Sequence, residues 1–269
     1  MLCIRRVITI PTDFAPKVVP LAQSGTMLHY HASPNSQLLA LSLTEMPDRT
    51  RARELADEFS RKGDPTGWFE HLYREGEAGK STVPWANLCP NPRLLDFWNR
   101  HPQLTAGKAA LTIGSGFGDD AEQLAAWGFR TTAFDISETA IRLSRKRFPS
   151  TSVEYLAANL LEPPSTWRRF FHFVFEANTL QVLPAALRRL AIENIAGFLR
   201  PGGLLLLIAR GREPSDPEGQ IPWPLTRAEL SAFTRADLEE LSFEDFLELE
   251  DSGDPPVRRF RVLYQAKSV

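Results

Sequence analysis

The chain has 269 residues, against roughly 150 per domain, so it forms one large domain or two small ones and can bury a core unaided by staples. Hydrophobic residues make up 43% and charged residues 24%, and the formal net charge is -2. That balance excludes whole-chain disorder and a collagen-like repeat, and it speaks against a nucleic-acid binder working through a basic surface. Two cysteines, Cys3 and Cys89, cannot supply a disulfide framework or a four-thiolate zinc site. The longest apolar run, Leu204 to Ala209, falls far short of the ~18 residues of a membrane span. A reducing, cytoplasmic location is expected, with no membrane and no nucleic-acid partner.

Residues 1–46 show no periodic pattern and carry prolines at 11, 16, 20 and 34, so a poorly ordered extension is predicted. The apolar patch Val7 to Ile10 is too short for a signal-peptide core. Residues 47–105 read as a helical, aromatic-rich cap. Thr50 to Lys62 is amphipathic and ends at Gly63-Asp-Pro. Trp68, Phe69, Tyr73 and Trp85 follow, in a stretch that Gly, Pro and Asn break into short pieces. Leu94 to His101 is a helix.

From residue 106 strands and helices alternate. Strands are predicted at 109–113, 131–135, 153–156, 173–176 and 204–209. Helices are predicted at 120–127, 137–148, around 187–199 and 226–233. The segments 241–247 and 259–265 alternate and read as a closing antiparallel pair. The fold class is α/β: a doubly wound, mostly parallel Rossmann-like sheet with helices on both faces. The site is expected at the carboxyl ends of its strands.

The most informative segment is Ile113-Gly-Ser-Gly-Phe-Gly-Asp-Asp120, between a strand and a helix. Gly114, Ser115 and Gly116 form a turn that lets the backbone approach a ligand. Asp135 closes the next strand, 21 residues beyond Gly114. A carboxylate there accepts from both hydroxyls of a ribose. The third glycine of a dinucleotide fingerprint is replaced by Asp119, and Asp120 follows. Two carboxylates at a helix start would repel a pyrophosphate needing the same amides. They suit the cationic S-adenosylmethionine better than NAD.

These segments, Ile113–Ala121 and Ala133–Ile141, resemble motif I and the second strand of class I S-adenosylmethionine-dependent methyltransferases. Within that class the chain is most similar to the thiopurine and halide/thiol methyltransferase group. Gly67-Trp68 with Pro84-Trp85, Phe173–Glu176, Leu199–Ile208 and Trp223–Thr226 carry the likeness further, over about residues 64–267. The resemblance implies a seven-stranded sheet with an antiparallel final strand. It implies that Gly114 and Gly116 pass the methionine part of the cofactor and that Asp135 holds the ribose. Ile136 would pack on adenine, Asn159 and Leu160 would follow the third strand, with Asn159 where the group usually has an Asp for the adenine amino group, and Trp68 and Trp85 would cover the cofactor. Glu176 would lie near the methionine ammonium or the acceptor. Where halide and thiol enzymes have a tyrosine after the fourth strand, this chain has Ala177 and Asn178, which counts against a halide acceptor.

Methyl transfer by in-line displacement needs mostly alignment. A sulfur or comparable soft nucleophile needs no base; an oxygen or nitrogen of a natural product would, and His71, Tyr73 and Glu176 are the candidates. A non-catalytic S-adenosylmethionine-binding protein is the reading outside enzymes. No histidine spacing suggests a metal. The expected partner is a small-molecule acceptor, with the protein a monomer or homodimer.

Overall fold

The computed structural model describes residues 49–101, 107–248 and 256–268, together with two short strands, β1 (Val7–Thr9) and β2 (Lys17–Val18). The rest of the expected N-terminal extension lies outside the described residues. Three helices come first: α1 (Thr50–Arg61), α2 (Trp68–Glu77) and α3 (Pro92–Arg100). Then β3 (Ala109–Ile113), α4 (Asp119–Ala126), β4 (Arg130–Asp135), α5 (Glu138–Arg147) and β5 (Glu154–Ala157) alternate. After them come β6 (Phe171–Ala177), α6 (Ala185–Phe198), β7 (Leu199–Arg210), α7 (Arg227–Leu230), α8 (Ala232–Arg235), β8 (Leu238–Glu248) and β9 (Val257–Ala266).

All strands join one sheet in the order β2-β1-β8-β9-β7-β6-β3-β4-β5. The run from β7 to β5 is parallel. The strand β9 inserts antiparallel between β7 and β8. Seven strands, β3 to β9, make the expected methyltransferase-type sheet, and β1 and β2 continue it antiparallel beyond β8. Every residue of β3 is buried, because parallel strands are covered on both faces. On one face α6 and α8 pack Ile195, Phe198 and Phe233 against Val174, Leu205 and Leu207. On the other, Leu94, Phe97 and Trp98 of α3 meet Phe173, Phe175, Leu206 and Ile208.

Three segments differ from the sequence-based expectation. The stretch expected in short pieces holds a ten-residue helix, α2, whose Trp68, Leu72 and Tyr73 are buried. Spacing of four and five residues puts these on one helical face, and Gly76 and Gly79 come too late to interrupt it. The helix expected over 226–233 splits in two, with Ser231 as the joint. The strand β7 begins at Leu199, ahead of Pro201, and a register shift absorbs the Pro-Gly-Gly stretch before regular pairing resumes at Leu204.

Candidate active site

A cleft of about 270 Å³ runs along the carboxyl ends of β3 to β7. That is near the lower end of the roughly 300–1,000 Å³ of small-molecule sites. Its floor comes from the strand ends, and α1, α2 and residues 84–93 form the facing wall.

The turn after β3 is fixed by glycine. Gly114 has φ +58° and Gly116 φ +53°, left-handed values that disfavour side chains. A Cβ on Gly114 would lie 2.3 Å from Thr179 Oγ1, so only glycine lets the turn after β6 close against it. Asp135 ties this turn to the next loop: its Oδ2 accepts from Gly116 N–H (3.0 Å) and its Oδ1 from Ser137 N–H (3.0 Å). Burial pushes its carboxyl up to about 6, against those two hydrogen bonds. A carboxylate has about four acceptor sites, so capacity for ligand hydroxyls remains. Ser115 also lines the cleft, and its buried Oγ has no hydrogen-bond partner. An orphaned buried hydroxyl beside a glycine turn and an acidic residue fits a nucleoside carrying polar substituents.

Ile136, Asn159 and Leu160 line the adjoining wall. The Asn159 Oδ1 accepts from Leu161 N–H (2.9 Å), so the oxygen expected for an adenine amine also shapes its own turn. Asp120 lines the cleft and accepts from Asn91 N–H (2.6 Å), joining α4 to the cap; burial pushes it up to about 7. Its neighbour Asp119 pairs with Arg147 at 2.8 Å.

Trp68 and Trp85 both line the cleft, edge to face with centroids 6.0 Å apart. Trp68 stacks on Phe69 at 3.9 Å. The indole of Trp85 donates to Tyr73 Oη (2.8 Å). Burial, then the charge of Asp135, push the Tyr73 phenol well above its ordinary value.

The three acid–base candidates are not brought together. Tyr73 lines the cleft but holds its proton. His71 is exposed, with Glu75 at 3.3 Å, and does not line the cleft. Glu176 is wholly buried behind the wall. Its Oε1 accepts from Thr179 N–H (2.7 Å) and Leu180 N–H (3.0 Å), clamping the turn that follows β6, and burial raises it to about 7.

Other lining residues were not singled out in the sequence: Thr179, Gln181 and the arginines at 49, 93, 210 and 259. No local motif marks them, since their strands and helices converge only in the fold. Glu70 was missed too. It lies on α2 and accepts from Ser137 Oγ (2.6 Å), Thr139 N–H (3.1 Å) and Thr139 Oγ1 (2.8 Å).

Residues 110–203 match a family model described as a methyltransferase domain. No curated protein sequence matches the chain. Solved structures of similar fold include an S-adenosylmethionine-dependent methyltransferase from Methanosarcina mazei, 22% identical, TM-score 0.55, covering 64% of this chain and 98% of that one. They also include the N-methyltransferase NodS from Bradyrhizobium japonicum, solved with S-adenosylhomocysteine: 20% identical, TM-score 0.56, covering 74% and 97%. A third, from work on converting a disulfide into a thioacetal in echinomycin biosynthesis, is 19% identical, TM-score 0.61, covering 75% and 91%. Residues 110–203 thus match a methyltransferase domain, within a chain whose fold is similar to that of solved methyltransferases.

Proposed function

We propose that the chain is a methyltransferase that uses S-adenosylmethionine to methylate a small molecule, with sulfur or a comparably soft nucleophile as acceptor. The domain at 110–203 and the glycine turn with Asp135 support the cofactor. When bound, S-adenosylmethionine supplies a methyl carbon open to in-line displacement. The backbone at Gly114 and Gly116 would border its methionine part, Asp135 would hold the ribose, Ile136 would pack on the adenine, and Asn159 would accept from its amino group. Trp68 and Trp85 would close over it and exclude water, where a sulfonium can also rest against an aromatic face.

One observation carries the acceptor class. Among the described residues, the cleft is lined by no histidine and no lysine. The Tyr73 phenol keeps its proton, and Glu176 is behind the wall. The carboxylates that line the cleft are engaged, Asp119 with Arg147, Asp120 with the Asn91 N–H and Asp135 with Gly116 and Ser137 N–H, so an alcohol or ammonium acceptor would compete for them, whereas a thiolate needs no base. The resemblance to the thiopurine and halide/thiol group points the same way.

The test is calorimetric titration with S-adenosylmethionine, S-adenosylhomocysteine, NAD and NADP, on the wild type and Asp135→Ala. The adenosyl ligands alone should bind. The variant should lose about tenfold or more, as expected for hydrogen bonds to a charged group. Release of S-adenosylhomocysteine should then be faster with thiols than with matched phenols. Absence of adenosyl binding overturns the reading; phenols outpacing thiols overturns the acceptor class.

A further inference from the structure

We infer that the acceptor carries a carboxylate, which docks on guanidinium groups at the end of the cleft remote from Asp135. The inference rests on the methyltransferase reading and names the substrate class of the same site.

The cleft is polarised. Its acidic lining, Asp119, Asp120 and Asp135, belongs to the β3–β4 side. At the other end Arg210 closes β7 and stands directly across from Arg259 of β9; Arg93 of α3 also lines the cleft and lies between the two ends, paired with Glu248 and close enough to Asp120 for its charge to act on that carboxyl. The strand order sets β7 three strands from β4. At ~4.8 Å per strand the two ends are on the order of 14 Å apart, so they meet different parts of what the cleft holds.

The guanidiniums of Arg93 and Arg259 are held in place by the fold. Arg259 is only 5% exposed; its Nε donates to Glu248 (3.1 Å) and its Nη1 to Asn178 Oδ1 (3.3 Å). Arg93 ion-pairs with the same Glu248. Gln181 fixes the backbone of Arg210, its Oε1 accepting from Arg210 N–H (2.6 Å). A guanidinium carries five N–H donors in a rigid fork, so an arginine already bonded to two oxygens, as Arg259 is, can still take part in recognising a planar oxyanion. Orientation fixed in advance lowers the ordering cost of binding. Between this end and the aromatic wall, Val182 and Ile221 line the cleft and pack on the cluster of Trp68 and Trp85. Apolar walls with cations at one end fit a flat apolar molecule bearing one carboxylate.

The experiment is calorimetry on the full chain saturated with S-adenosylhomocysteine, titrated with benzoate, 2-mercaptobenzoate and indole-3-acetate and with their methyl esters. At least one acid should bind about tenfold or more tightly than its ester, the scale of a charge-assisted hydrogen-bond pair. Arg210→Gln should abolish that preference while leaving affinity for S-adenosylhomocysteine and for the esters near wild type, which also reports that the variant is folded. Arg210→Lys, which keeps the charge but not the fork, should fall between, and it carries the comparison if the glutamine variant does not fold. Acids binding no better than esters, no acid binding at all, or a preference that survives Arg210→Gln each overturn the proposal. Failure of S-adenosylhomocysteine itself to bind shows separately, as failure of the methyltransferase reading.

Discussion

Asp120 shows how a single buried carboxylate sets the pH behaviour of the ligand-free protein. Its ordinary value is 3.8 and burial raises it to about 7. The folded protein therefore keeps a proton that the unfolded chain has lost between those values. Stability linked to this group is full below about pH 4 and declines as pH rises towards 7. Asp135, raised to about 6, and Glu176, raised to about 7, act in the same direction. His172 opposes them, since burial lowers it, and below about pH 6.5 the unfolded chain takes up that proton first. Asp120→Asn keeps an oxygen for the Asn91 N–H and removes the charge. It should raise Tm at pH 8 by about 2–4 °C per kcal/mol regained, and change it little at pH 5. Thermal melts across pH 5 to 8 decide it; equal effects at both ends would mean that Asp120 is not the titrating group.

At the scale of elements, the cap meets the sheet through α2. Glu70 accepts three hydrogen bonds from Ser137 and Thr139 at the start of α5, so Trp68 and Tyr73 are positioned by a contact some 69 residues away in sequence. Burial alone would raise the Glu70 carboxyl, yet these bonds bring it below its ordinary 4.5. The clamp is thus in force above that pH and is lost on acidification. Glu70→Gln replaces one carboxyl oxygen by an NH2 and leaves at least one of these donors without its acceptor, at about 1–3 kcal/mol. Amide exchange over residues 64–80 should speed up in the variant, and S-adenosylhomocysteine should bind several-fold more weakly; unchanged exchange would sink the clamp. The contact also shows what a sequence discloses. Gly114, Gly116 and Asp135 were legible because turn geometry and strand spacing are local. Glu70, Arg210 and Arg259 were not, because their roles depend on which elements meet. His71 and Tyr73 were both named as bases because α2 was not recognised as one helix. At about 100° per residue, two positions apart face nearly opposite ways, so only one can enter the cleft.

Residues 47–105 read as a cap and residues 106–269 as a Rossmann-like domain, yet the buried seam between them predicts that the two unfold together. Leu94, Phe97 and Trp98 of α3 are buried against Phe173, Phe175, Leu206 and Ile208 of the sheet. At about 1.5–3 kcal/mol for each fully buried large side chain, these three alone are worth roughly 5–9 kcal/mol. That is comparable with the total stability of a typical domain, about 5–15 kcal/mol. Ion pairs add to the seam: Arg93 with Glu248, and Arg261 with Asp96 at 2.6 Å. Removing Arg93 takes one of its two arginine partners from the buried Glu248, a loss of up to about 3–5 kcal/mol for a broken buried pair, whereas the half-exposed Asp96 contributes less. A chain starting at residue 107 should therefore lack a cooperative melt and expose apolar surface to a hydrophobic dye. The full chain should show one calorimetric transition, and saturating S-adenosylhomocysteine, held between cap and sheet, should move it as a whole. At a hundredfold excess over Kd that stabilisation is about 2.7 kcal/mol. Two separate transitions, with only one moved by the ligand, would show instead that the cap folds independently and merely rests on the sheet.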